Sequence, residues 1–275
     1  MSAARFHVRF WGVRGGFPTP NAATRRYGGN TPCVELRCGP HLIIFDAGTG
    51  IRPLGTSLRA ESGIDADIMF SQACFNHMCG LPFFMPGYNP TNTFRAWAGH
   101  AGALGSVQRA LTGMMTSPLF PIPLSYIGAL RGFHDFAAGD SFEPKPGILV
   151  RSAALDHPKG ATGYRVECEG RTLCYVSGTQ HRPGRPNQAI LTLIEHADLV
   201  IYDSYYADDE YAANGAGHST WQEGVRLCKA ASARRLVPFQ HNPAHDDAYL
   251  DRVQAELEAL LPGSRVAAEG LVLEL

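Results

Sequence analysis

Residues 68–84 read Ile-Met-Phe-Ser-Gln-Ala-Cys-Phe-Asn-His-Met-Cys-Gly-Leu-Pro-Phe-Phe, and the identity of the fold turns on this stretch. The apolar run Ile68 to Phe70 is strand-like and breaks at Ser71. Four side chains able to bond a metal or an anion follow at close spacing: Gln72, Cys74, Asn76 and His77. Gly80-Leu81-Pro82 then turns the chain away.

Working outward, strand-like runs again lead into short polar or glycine-rich segments. Arg5 to Trp11 alternates as a strand, with Phe6, Val8 and Phe10 on one side, and runs into the loop Gly12-Val-Arg-Gly-Gly-Phe-Pro18. Tyr27-Gly-Gly-Asn-Thr-Pro-Cys33 feeds a strand over Val34 to Arg37, and Leu42 to Phe45 is a short buried strand entering Asp46-Ala-Gly-Thr-Gly50. Ile148 to Ala154 predicts a strand before Leu155-Asp-His157-Pro-Lys-Gly160, and Arg171 to Ser177 predicts another that stops at Gly178-Thr-Gln-His181. A helix is expected over Ala189 to His196, then a strand over Leu199 to Tyr202 ending at Asp203. Gly217-His218-Ser219-Thr220 precedes an amphipathic helix, Trp221 to Ser232, with Ser219 or Thr220 as its N-cap. Leu236 to Phe239 is a strand before Gln240-His241-Asn242-Pro243; a helix over Asp246 to Leu260 and a closing strand over Arg265 to Leu275 complete the chain.

Taken together these segments resemble the metallo-β-lactamase superfamily, and more narrowly its branch of cyclic-nucleotide phosphodiesterases and ribonuclease-Z-like hydrolases. Residues 10–18 resemble that branch's "FWGVRGSxP", residues 27–33 its "YGGNTxC", residues 46–50 its "DAGTG", and residues 68–84 a strand reading roughly "FSHTHWDHIQGLPFF". Met114 to Pro123 is similar to "MSPPYFPV", and the segments at 155–166, 177–181, 197–206, 217–220 and 240–243 follow in the family's order. The resemblance covers roughly residues 6–255 and implies an α/β four-layer αβ/βα sandwich of the metallo-β-lactamase type. One domain over 1–275 is expected, with 85–150 as a lid or dimer-contact insertion; Arg95, His100 and His134 in it read as ordinary surface or strand residues.

Laid on the family's seven metal-ligand positions, only His77 and His157 keep their identity. Gln72 and Cys74 replace histidines, Asn76 an aspartate, Gly178 the aspartate that bridges two metals, and Gln240 the last ligand. Amide ligands carry no charge to offset two divalent ions. With those ligands missing, Asp46 is expected to cap the helix that follows it rather than to orient a histidine. The reading drawn from this contrast leans away from catalysis. It is a metal-independent pseudoenzyme with no cofactor, acting by binding a small anionic or nucleotide-like ligand or a protein partner. Its pocket would comprise Gln72, Cys74, Asn76, His77, His157, Gly178, Asp203, His218, Gln240 and His241. The alternative is a phosphodiesterase-like hydrolase with an altered site: either one zinc or iron held by Cys74, His77 and His157, or acid–base chemistry by His77, His157 and His218. In related hydrolases a histidine in the position of His218 faces the substrate and serves as an acid toward the leaving group.

Composition bounds the remainder. A net charge of −1 gives no broad attraction to nucleic acid or anionic membranes, so neither is expected as a partner. Seven cysteines, 33, 38, 74, 79, 168, 174 and 228, show no zinc-ribbon spacing and read as reduced thiols. Neither a signal peptide nor an apolar run near 20 residues is present, and a cytoplasmic homodimer is expected.

Overall fold

A computed structural model of the chain describes residues 6–100, 105–211 and 215–275. Met1 to Arg5, including the expected start of the first strand at Arg5, lies outside the described residues, as do 101–104 of the expected 85–150 insertion. Two sheets face each other. The first runs β13 (Val272–Glu274), β1 (Phe6–Gly12), β2 (Cys33–Cys38), β3 (His41–Phe45), β4 (Asp65–Phe70), β5 (Thr93–Ala98) and β6 (Leu130–Asp135). The second runs β12 (Leu236–Phe239), β11 (Leu199–Asp203), β10 (Arg171–Val176), β9 (Ala161–Cys168), β8 (Ile148–Leu155) and β7 (Ser141–Lys145). The strands that deliver the candidate site, β3, β4, β10, β11 and β12, pair in parallel within their sheets: β3 with β4, β10 with β11, and β11 with β12. Their carboxyl ends therefore lie together on one rim.

The alternation of side chains along these strands explains the four layers. In β3, Ile43 and Phe45 enter the cluster between the sheets, while Leu42 and Ile44 pack outward with Ile51 and Leu54 of α1 (Ile51–Ser57). In β11, Leu199 and Ile201 face between the sheets, and Val200 and Tyr202 face the helices α4 (Gln188–Ile194), α5 (Trp221–Ala230) and α6 (Asp247–Leu260). Strands apolar on both faces must be covered on both faces, so helices flank each sheet and the predicted αβ/βα sandwich results. Among the described residues no helix is long and apolar enough to cross a membrane.

Local differences from expectation have local causes. Thr220, not Ser219, caps α5, its side chain accepting from Glu223 N; Ser219 is turned inward. The closing strand shrinks to three residues because the chain turns at Gly270 (φ 86°) before pairing with β1. The segment 85–150, expected as a lid or dimer-contact insertion, supplies β5 to β7 and the start of β8, together with α3 (Val107–Met114). Asp46 does not cap α1: Gly50 holds the N-cap position, and Asp46, at φ 58°, turns its carboxylate toward β4.

Candidate functional site

The rim of strand ends carries two clusters. In the first, Asp46 is fully buried and saturated: Oδ1 accepts from Ser71 N (2.8 Å), and Oδ2 accepts from Ser71 Oγ (2.7 Å) and Tyr175 Oη (2.7 Å). Oδ2 also lies 2.8 Å from His77 Nδ1, which fixes the ring of this buried histidine on α2 (Phe75–Met78). With Nδ1 donating to the carboxylate, Nε2 is left as an acceptor. Gln72 Nε2 (2.5 Å) and Gln240 Nε2 (2.9 Å) both approach it, and Gln240 Nε2 also donates to Ser177 Oγ (2.8 Å). Gln240, at φ 65°, keeps Oε1 buried without a hydrogen-bond partner among the described residues.

Gly178 stands beside these amides at φ 77°; a β-carbon placed there would lie 2.8–2.9 Å from the Gln72 side-chain amide. Gln72 therefore fills the space into which a side chain at 178 would project. Cys74 lies 3.7 Å from Gln72 Oε1, and burial pushes its thiol above the ordinary range, partly offset by Lys159. Asn76 makes no side-chain hydrogen bond among the described residues. His241 points away from the cluster: it is buried with Nε2 2.8 Å from Ala267 O, and burial and the neighbouring Arg14 charge lower it to about 3.

The second cluster sits at the ends of β10 and β11. Asp203, fully buried, accepts from Gly178 N (2.8 Å) and lies 2.9 Å from His218 Nδ1. Burial alone would depress His218, but the charge of Asp203 and their hydrogen bond outweigh it, and the imidazole titrates above its ordinary value. Its ring stacks on Tyr205 at 4.3 Å. His157 is brought to the same place: a β-carbon at Gly217 would lie 2.3 Å from its ring, so only glycine admits it there. Burial, then the nearby His218, shift His157 downward.

Several members of the site were not legible as such. Ser71 and Ser177 read only as strand ends and Tyr175 as an ordinary strand residue, and only the sheet-to-sheet packing brings Tyr175 to Asp46. His100 lies 3.4 Å from Thr162 Oγ1, close enough to His77 and His157 to feel both, and burial lowers it to about 4. Nothing in its sequence neighbourhood signals this. Beside α2, on the far side from His77, Ala73, Phe75, Met78, Phe83, Leu119 and Phe120 line an apolar groove of about 550 Å³. Phe75 and Leu119 are 74% and 83% exposed on its rim.

This architecture is shared with solved structures. The metallo-beta-lactamase fold protein YhfI from Bacillus subtilis superposes with a TM-score of 0.74 over 99% of this chain and 100% of its own, at 18% identity. Zinc-bound PqqB from Methylobacterium extorquens gives 0.67 over 98% and 100%, at 17% identity, and human tRNase Z, short form, 0.66 over 97% and 98%, at 21%. The class defined is thus the metallo-β-lactamase fold. The family described as the Beta-lactamase superfamily domain matches residues 41–241. Ribonuclease Z of Myxococcus xanthus is 33% identical over 90% of this chain and 92% of its own, and that of Haloarcula marismortui 24% over 95% and 94%. The chain belongs to the beta-lactamase superfamily domain family, in its ribonuclease-Z-like branch.

That membership corrects two expectations drawn from the lost ligand positions. Relatives named as ribonucleases over nearly the whole chain overturn the lean toward a metal-independent pseudoenzyme. A neighbour of the same fold with zinc bound overturns the expected lack of any cofactor. The lost positions are all cation-binding side chains, whereas Asp203 and His218, expected in the pocket and His218 also as an acid in the alternative reading, form a separate cluster that keeps its carboxylate and imidazole.

The donors of this chain nevertheless do not fit the two-cation centre of the family template. His77 Nε2, the atom that would ligate, is faced by two glutamine amides, and the bridging position is a glycine whose space an amide fills. The smaller set Cys74, His77 and His157 is not gathered either: among the described residues no three His, Cys, Asp or Glu side chains converge as a metal site.

Proposed function

We propose that this chain is a phosphodiester hydrolase with an altered centre, in which His218 and His157 handle the protons. The observation that carries the reading is the fully buried Asp203 carboxylate 2.9 Å from His218 Nδ1. A buried carboxylate holding Nδ1 fixes the tautomer, stabilises the imidazolium, and leaves Nε2 as the proton-delivering atom. His157, shifted the opposite way, is the neutral partner. Two like groups pushed apart in pKa by their surroundings divide into acid and base.

In the proposed reaction the oxygen of water attacks phosphorus and gives a proton to His157. The bond to the leaving oxygen breaks, and that oxygen takes the proton of His218. The products are a phosphomonoester and an alcohol.

The test is turnover of bis(p-nitrophenyl) phosphate, with and without added Zn²⁺. His218→Ala and His157→Ala are each expected to lower kcat by roughly 10²–10³. The pH profile should be bell-shaped, falling on the acid side as His157 protonates and on the alkaline side as His218 loses its proton. No turnover by the parent protein under either condition, or full turnover by His218→Ala, would overturn the reading.

A further inference from the structure

His181 follows the strand end at Gly178 and has no part in the proton transfers above, yet it is buried and joined to Ser219, the neighbour of His218. Its Nδ1 lies 2.8 Å from Ser219 Oγ, and Ser219 Oγ lies 2.9 Å from Tyr202 Oη. All three residues are buried, Ser219 and Tyr202 completely. The His181 ring stacks on Tyr211 at 4.1 Å and 13°, and Tyr211 Oη bonds the His181 backbone on both sides, donating to O (2.8 Å) and accepting from N (3.1 Å). His181 is therefore fixed by Ser219 on one side and by three contacts of Tyr211 on the other, and Ser219 is the group it fixes in turn.

Ser219 is placed to pass that rigidity on. Its backbone N–H donates to Asp203 Oδ1 at 3.3 Å, while the other carboxylate oxygen holds His218. Its carbonyl accepts from Tyr206 N (3.0 Å). The turn before it contains Ala216 at φ 49° and Gly217 at φ 88°, left-handed backbone that local preference alone does not maintain for alanine. In one continuous arrangement Tyr202 donates to Ser219, and Ser219 donates to His181 Nδ1.

We infer that His181 and Ser219 are positioning residues, a clamp that sets the peptide between His218 and Ser219 so that the imidazole stays on Asp203. The inference rests on the catalytic reading of His218. A buried hydroxyl with two partners costs little when both are present and leaves two unsatisfied groups when it is removed, so the hydroxyl of Ser219 is the sensitive point. A histidine serving only to fill the core would stabilise the protein without tuning its neighbour.

The experiment is an NMR titration of the His218 imidazole in the full chain, with bis(p-nitrophenyl) phosphate kinetics on the same samples. Ser219→Ala is expected to move the His218 titration downward toward that of a free histidine. It should also lower kcat roughly tenfold while KM stays within about twofold, because misplacement of a proton donor acts on the transition state. His181→Leu, which keeps bulk but not the hydrogen bond, should do the same. Tyr202→Phe removes one hydroxyl only and gives the same readout in smaller measure if the first two do not fold. A folded variant with an unmoved His218 titration and unchanged kcat overturns the clamp. Failure of the catalytic reading is distinguishable: His218→Ala would then leave turnover intact, while the titration shift would still report the clamp.

Discussion

Two buried aspartates in this protein do the same thing to two histidines, with opposite outcomes. Asp46 holds His77 Nδ1 at 2.8 Å and Asp203 holds His218 Nδ1 at 2.9 Å, each from the end of a parallel strand. At His77 the far nitrogen is met by Gln72 and Gln240, so the imidazole is enclosed. At His218 no hydrogen bond to Nε2 forms among the described residues, and the ring lies against Tyr205 and near His157. The carboxylate alone does not decide what a histidine does; the partner of the other nitrogen does. In the function proposed above, the enclosed cluster is structural and the open one carries the chemistry.

The comparison can be broken most forcefully at Asp46. Its carboxylate satisfies four groups without solvent contact, so Asp46→Ala should cost about 3–5 kcal/mol of unfolding free energy, read from urea denaturation. Asp203→Asn is expected to act on rate more than on the fold, reducing kcat by roughly 10² as the wrong tautomer of His218 becomes available; an equal loss of stability in both variants would erase the distinction drawn here. Gly178→Ala meets both a positive φ and the Gln72 amide and should cost about 1–3 kcal/mol. Adding Gln72→Ala should return the part due to crowding and leave the backbone part.

The remaining effects appear only when pH is varied. His241 has a folded value of about 3, below its unfolded value near 6.5, so the unfolded chain binds the extra proton. Its contribution to stability is present above about pH 6.5 and is lost as pH falls toward 3. His218 is raised, so its contribution is present below about pH 6.5 and fades as pH rises through the folded value. Urea midpoints measured across pH for His241→Gln and His218→Gln should therefore lose slope on opposite sides of about pH 6.5.

The fold was legible because strand ends and glycine turns are local, and their order along the chain survives changes of side chain. The enclosed cluster was partly legible: Gln72, His77, Gly178 and Gln240 stand at readable positions. Asp46 was misread because an aspartate before a helix looks like a cap until the neighbouring strand is in place, and only then does Ser71 compete for it. Tyr175 and His100 reach the site through packing between sheets and under the 157–160 turn, which no spacing encodes. The catalytic standing of the chain was misread for a different reason. Counting lost ligands measures affinity for cations, and a second cluster with its own carboxylate and imidazole lies outside that count.

The apolar rim beside α2 has a consequence for how the protein behaves as a colloid. Phe75, Phe83 and Leu119 are all turned outward around one groove of a molecule whose net charge is −1. Charge repulsion that normally keeps such faces apart is nearly absent at neutral pH, and added salt removes little because there is little to screen. Concentrated solutions will be governed by this one sticky face, and a Phe75→Lys or Leu119→Lys substitution should raise solubility without reaching either histidine cluster.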